Sequence, residues 1–105
     1  MKIYIEDKDL EELIETGRNK KYKKFSRDKH MMEGLIMAVN IMRSVSCAKE
    51  LGNFSFLHYE QLKHLECSSV RIVNGKVERL LFKETENGLE ITLLELNEDH
   101  YGNKK

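Results

Sequence analysis

Few side chains in this sequence can move a proton or hold an anion from a fixed position. His58, His64 and His100, with Cys67, can exchange protons or ligate a metal near neutral pH. The close ligand spacing of a zinc site is missing among them, so no metal is expected. Arg71 and Arg79 flank the pair Asn74-Gly75, the preferred composition of a two-residue type I′ hairpin turn. Counting outward from that pair sets Arg71 opposite Glu78 and Arg79 opposite Val70. An opposite-charge cross-strand pair then accounts for Arg71, while Arg79 has no acidic partner across this hairpin and is available to a ligand unless the third strand supplies one. A guanidinium is planar and always charged, which suits it to phosphate. Asp99, His100 and Tyr101 sit together near the end of the chain, either as an acid–base group or as a frayed polar tail. A Gly-rich phosphate loop, a nucleophile elbow and an H-E-x-x-H helix are all absent.

The charge pattern points the same way as the arginines. The 18 basic and 18 acidic residues cancel, which is unusual for a nucleic-acid binder. Their distribution is uneven. Arg18, Lys20, Lys21, Lys23, Lys24, Arg27 and Lys29 face the single acid Asp28 in one segment, and Glu84, Glu86, Glu90, Glu95, Glu98 and Asp99 follow one another without a Lys or Arg in another. A basic segment can serve a phosphate backbone in a neutral chain; its plainer role is a solvated loop or helix end.

These groups need elements to position them. With 105 residues, 40% of them hydrophobic, one domain with one core is expected. Lys2–Glu6 alternates as a strand. Asp7 or Asp9 can cap a helix carrying Leu10, Leu13 and Ile14 on one stripe, closed at Gly17. Ser26 is a candidate cap for a longer helix with Met32, Leu35, Ile36, Val39, Met42 and Val45 in period; Gly34 inside it costs about 1 kcal/mol relative to Ala unless it permits close packing on the sheet. The methionines of this helix read as packing groups. Cys47–Leu51 continues the helix or starts a short new one, and Phe54–Glu66 reads as a loop with short extended or helical pieces. Ser69–Val73 and Lys76–Lys83 form the hairpin, Thr85–Gly88 a second turn, and Leu89–Leu96 a third strand. The result is α+β: a strand, two helices, then a three-stranded antiparallel meander with the helices on one face of the sheet. The other face can stay open for a ligand. Two isolated cysteines and the lack of a signal sequence or membrane-length apolar run predict a reduced, cytoplasmic protein.

Three stretches together resemble the HigB/RelE family of bacterial toxins. Leu57-His58-Tyr59-Glu60-Gln61-Leu62-Lys63 is similar to the family's Leu-His-Pro-Leu-Lys segment, with Tyr59 in place of the proline. Ser69-Val70-Arg71-Ile72 followed by Asn74-Gly75 and Arg79-Leu80-Leu81-Phe82 is similar to its hairpin. Glu98-Asp99-His100-Tyr101 is similar to its terminal Glu-Asp-Tyr-His signature, with the last two residues exchanged. The tryptophans frequent in the family's sheet are absent.

The resemblance implies a ribosome-dependent messenger-RNA endoribonuclease that needs no cofactor, held in check by a cognate antitoxin, often a helix-turn-helix (HigA-like) protein. It implies His58, Arg79, Asp99, His100 and Tyr101 as the catalytic site. Arg79 would contact the phosphate, His58 and His100 would share acid–base duty, Asp99 would orient a histidine or act as base, and Tyr101 would stack or donate a proton. Lys63 and Arg71 are secondary phosphate contacts, and Lys20, Lys21, Lys23 and Lys24 further RNA contacts. Two alternatives stay open: a ParE-type toxin that inhibits DNA gyrase by binding, and a non-enzymatic interaction module in which the His/Asp/Tyr groups do not converge on Arg79.

Overall fold

The computed structural model describes residues 1–73 and 76–97. Strand β1 (Lys2–Ile5) leads into helix α1 (Lys8–Thr16), the short helix α2 (Lys23–Arg27) and the long helix α3 (Lys29–Ser44). 3₁₀ turns at Ala48–Asn53, Ser55–Leu57 and Lys63–Leu65 surround a three-residue strand β2 (Glu60–Leu62). The chain then forms β3 (Cys67–Arg71), β4 (Arg79–Glu84) and β5 (Glu90–Asn97). The sheet order is β1-β5-β4-β3-β2, with β1 parallel to β5 and the remaining pairs antiparallel. The α+β reading holds, and the expected meander is β3-β4-β5. β1 and β2 extend it to five strands, and β2 comes from the stretch without a clear period.

The caps explain where the helices start and stop. Asp7 accepts from the Asp9 amide at 2.9 Å, and Gly17 takes the left-handed conformation that ends α1, φ 79°. Asp7 also accepts from the Tyr22 hydroxyl at 3.0 Å and pairs with Lys21 at 3.5 Å, so one carboxylate ties the basic segment to α1. The cap expected at Ser26 is instead at Asp28, whose side chain accepts from the Met31 amide at 3.2 Å. Ser26 lies inside α2, bonded to the Lys23 carbonyl. The basic segment winds its own short helix, and Asp28 in extended conformation breaks it before the apolar period begins.

One core joins the layers. Leu10, Leu13, Leu35, Val39 and Met42 from the helices meet Val70, Leu80, Phe82, Ile91, Leu93 and Leu96 from the sheet. Leu93 and Leu96 are three residues apart, a spacing that strict alternation would send to opposite faces. A register shift between Leu81 and Phe82 pairs Leu80 with Leu96 and Phe82 with Leu93, so both leucines reach the core. Gly34 permits the close approach anticipated from sequence: a Cβ there would stand 2.2 Å from the Ile72 carbonyl oxygen. Met31 and Met42 are buried as expected of packing groups, but Met37 is 51% exposed.

Two outcomes follow. Gly34→Ala should lower stability by about 1–3 kcal/mol, read by urea unfolding, because the backbone contact outweighs the gain in helix propensity. Asp7 is pushed up by burial, but its bonds from Tyr22 and the Asp9 amide and the charge of Lys21 outweigh that and hold its pKa below the usual aspartate value. Its contribution to stability is therefore complete above the unfolded-state value near 4 and is lost as pH falls through the lower folded value. Asp7→Asn keeps a capping side chain, so urea midpoints measured from pH 6 down to pH 3 should fall less steeply for the variant.

Candidate functional site

Cross-strand register decides which side chains share the face of the sheet turned away from the helices. The row Arg71–Arg79–Asn97 runs across β3, β4 and β5, and the next row is Glu60–Ser69–Leu81–Glu95 from β2 to β5. Both rows point away from the helices, because Val70, Leu80 and Leu96 alternate with them into the core. This differs by one residue from the register counted on the sequence. The Lys76 amide bonds to the Val73 carbonyl at 3.1 Å; Asn74 and Gly75, on which the turn was expected, lie outside the described residues. From that contact to the Arg71–Arg79 pair, however, the chain advances two residues on one side and three on the other. The extra residue has a physical reason. Pairing Arg79 with Val70 would drive a guanidinium into the apolar core, whereas the slip puts Leu80 there and turns Arg79 outward.

Arg79 faces outward yet is only 7% exposed. Its guanidinium lies across the small side chain of Ser69 on β3 and reaches β2. Nη1 donates to Ser69 Oγ at 2.9 Å and to the His58 carbonyl at 3.3 Å, and Nη2 pairs with Glu60 at 3.5 Å. Arg79 has no acid opposite it in the hairpin, but the expectation that it is therefore available is corrected here: Glu60 pairs with it from β2, a strand the hydrophobic pattern does not reveal. The expected Arg71–Glu78 pair is corrected as well. Arg71 stands opposite Arg79, and Arg71 Nε and Glu78 Oε1 are both buried without a hydrogen-bond partner. Two arginines facing each other across a ladder repel, so this end of the face favours an anion, and Glu60 supplies one.

His58 lies beside this group. It is exposed and adopts the left-handed conformation, φ 49° and ψ 48°, at the end of the Ser55–Leu57 turn. That region is sparsely used by non-glycine residues and persists where neighbours enforce it. The structure thus brings the His58 backbone carbonyl, Arg71 and Arg79 to one end of this face and adds Glu60. Glu60 was missed because no motif singles it out. The sequence carried no signal for it: β2 is three residues long and begins only at Glu60, after the left-handed His58.

The other candidates lie elsewhere. Lys63 follows β2 at the level of Cys67, four residues along β3 from Arg71, roughly 13 Å at the usual strand rise. Lys20, Lys21, Lys23 and Lys24 belong to the helical layer. Tyr22 fixes that segment beneath β5, where its hydroxyl meets the Leu96 amide at 3.4 Å, on the opposite side of the sheet from Arg79. Burial and the Asp7 carboxylate raise the Tyr22 pKa, so it stays a neutral donor. Asp99, His100 and Tyr101 lie outside the described residues. Among the described residues no group of three or more His, Cys, Asp or Glu is placed to hold a metal ion, and no helix is long and apolar enough to cross a membrane.

The geometry of Arg79 predicts that Arg79→Lys loses about 1–3 kcal/mol of stability in urea unfolding, because an ammonium on a flexible stem cannot serve Ser69, His58 and Glu60 from one planar fork. Compared with protein-family models, curated proteins and solved structures, the chain matches none of them.

Proposed function

We propose that this chain is a messenger-RNA endoribonuclease toxin that acts on the ribosome without a metal, through its open sheet face. The observation that carries the reading is the guanidinium of Arg79, buried on that face, with the His58 backbone and the Glu60 carboxylate against it. RNA cleavage of this kind requires three things of the protein: a base for the 2′-hydroxyl proton, a cation for the phosphoryl oxygens, and an acid for the departing 5′-oxygen. Arg79 supplies the cation. Glu60 occupies it as a carboxylate would, and its own side chain is 49% exposed, so an arriving phosphate can exchange with it. Glu60, once displaced, then stands beside the phosphate as proton acceptor, and the sequence resemblance assigns His58 a share of the acid–base duty. The 2′-oxygen attacks phosphorus, the bond to the 5′-oxygen breaks, and the acid returns a proton to that oxygen.

The acid is assigned by the sequence resemblance to the group Asp99, His100 and Tyr101. They follow within four residues of Asn97, which pairs with Arg79 in the ladder. Arg71 adds a second positive charge to the phosphate region. The lysines of the helical layer serve a different stretch of polyanion from the one at Arg79, since the sheet separates them. The resemblance also assigns a partner antitoxin, a helix-turn-helix protein, and the cytoplasm as the place of action. Binding of DNA gyrase and a purely adaptor role are the rival outcomes.

Induction in bacterial cells tests the proposal, with new RNA 5′ ends mapped on translated messages. Wild type should arrest growth and produce in-frame cuts. Arg79→Ala should lose at least a hundredfold of the cutting, in line with loss of one electrostatic stabiliser. His58→Ala and Glu60→Gln should each reduce it about tenfold to a hundredfold. Arrest without message cleavage would redirect the target to gyrase, and folded protein causing neither would leave an adaptor.

A further inference from the structure

We propose that Tyr59, Ser68 and Glu84 form a positioning cluster that holds His58 and Glu60 against Arg79. The inference rests on the reading of Arg79 as the phosphate-binding group. Three consecutive residues divide between two sides of the sheet. The His58 carbonyl and the Glu60 carboxylate meet Arg79 on the open face. Tyr59, between them, turns the other way, and its ring stacks on Phe82 with centroids 6.2 Å apart and planes 18° from parallel. Its hydroxyl donates to Glu84 Oε2, and the same oxygen accepts from Ser68 Oγ at 2.6 Å. Phe82 is fully buried and Ser68 is 4% exposed, so the anchor belongs to the rigid centre of the sheet.

The need for an anchor is local. His58 holds a left-handed conformation that an L-residue adopts at a cost of roughly 1–2 kcal/mol. β2 is only three residues long and lies at the edge of the sheet, so its ladder alone holds the segment weakly. Arg79 fixes the segment from one face and Tyr59 from the other. Burial, with the Glu84 carboxylate beside it, pushes the Tyr59 phenol up to about 12, so the hydroxyl remains a donor across the range in which cells live. The cluster's hydrogen bonds join its own three members, and it acts on Arg79 through His58 and Glu60.

Tyr59→Phe keeps the stacked ring and removes the donor. Glu84→Gln keeps the shape and removes the charge. Two readouts are compared: the exchange rate of the Arg79 guanidinium protons in the free protein, by NMR, and kcat and KM for message cleavage on the ribosome. Each variant should raise the exchange rate about tenfold and lower kcat about tenfold with KM unchanged. The double variant should be no worse than the more affected single one, because both act through one bond. Leu13→Ala, which loosens the core under α1, is the control for general destabilisation and should leave the Arg79 exchange rate close to wild type. An exchange rate unchanged in both variants, or an unchanged kcat in an active enzyme, overturns the proposal. Faster exchange in a protein whose wild type cuts no message upholds the clamp on Arg79 and overturns the ribonuclease reading alone.

Discussion

The structure of the sheet face turned away from the helices depends on one buried charge. Arg79 sits at 7% exposure and is held by Ser69, the His58 carbonyl and Glu60. Taking a guanidinium out of water is costly, and the cost is met only when its donors are satisfied and a counter-charge is near. Both requirements are met from β2 and β3. The short edge strand, the turn before it and the slipped register of the β3–β4 ladder all serve the same end. A hairpin paired one residue earlier would have put Arg79 beside Val70 in the core, and a sheet without β2 would have left it without Glu60.

A charge held in that way suits a face that receives an anion. The guanidinium is pre-organised, so binding a phosphate costs no ordering of a long side chain. Its resident carboxylate is half exposed and can be exchanged for another anion. Arg71 directly opposite raises the local positive potential, and two buried polar atoms nearby, Arg71 Nε and Glu78 Oε1, lack hydrogen bonds. The second concentration of positive charge, Lys20 to Lys24, is built into the helical layer by the Asp7–Tyr22 contact. The two basic regions lie on opposite sides of the sheet.

How much of this was legible in the sequence follows from the range of the signals. Local signals held: Asp7 and Gly17 bound α1, Gly34 marks a close approach, and the turn predicted at Thr85–Gly88 joins β4 to β5. Signals that compete locally were misread. Ser26 and Asp28 are both good caps, and the choice fell to Asp28 because α2 absorbs Ser26. Non-local relations were not legible at all. The ladder slips by one residue because of what the core excludes, not because of Asn74-Gly75. β2 has three residues and too little alternation to stand out, so Glu60 and its contact with Arg79 were invisible. Of the candidate site, the His58 backbone carbonyl and Arg79 are brought together, Arg71 joins them, and Lys63 and the Lys20–Lys24 segment are elsewhere. Asp99, His100 and Tyr101 lie outside the described residues.

The central claim is that RNA is engaged on the open sheet face around Arg79. Hydrogen-exchange mass spectrometry on the protein bound to ribosomes programmed with a 2′-O-methylated, uncleavable message tests it most directly. The account predicts new protection in peptides covering 57–62, 69–71 and 79–83, with the exposed side of α3 unchanged. Protection confined to α3 and absent from those sheet peptides would contradict it.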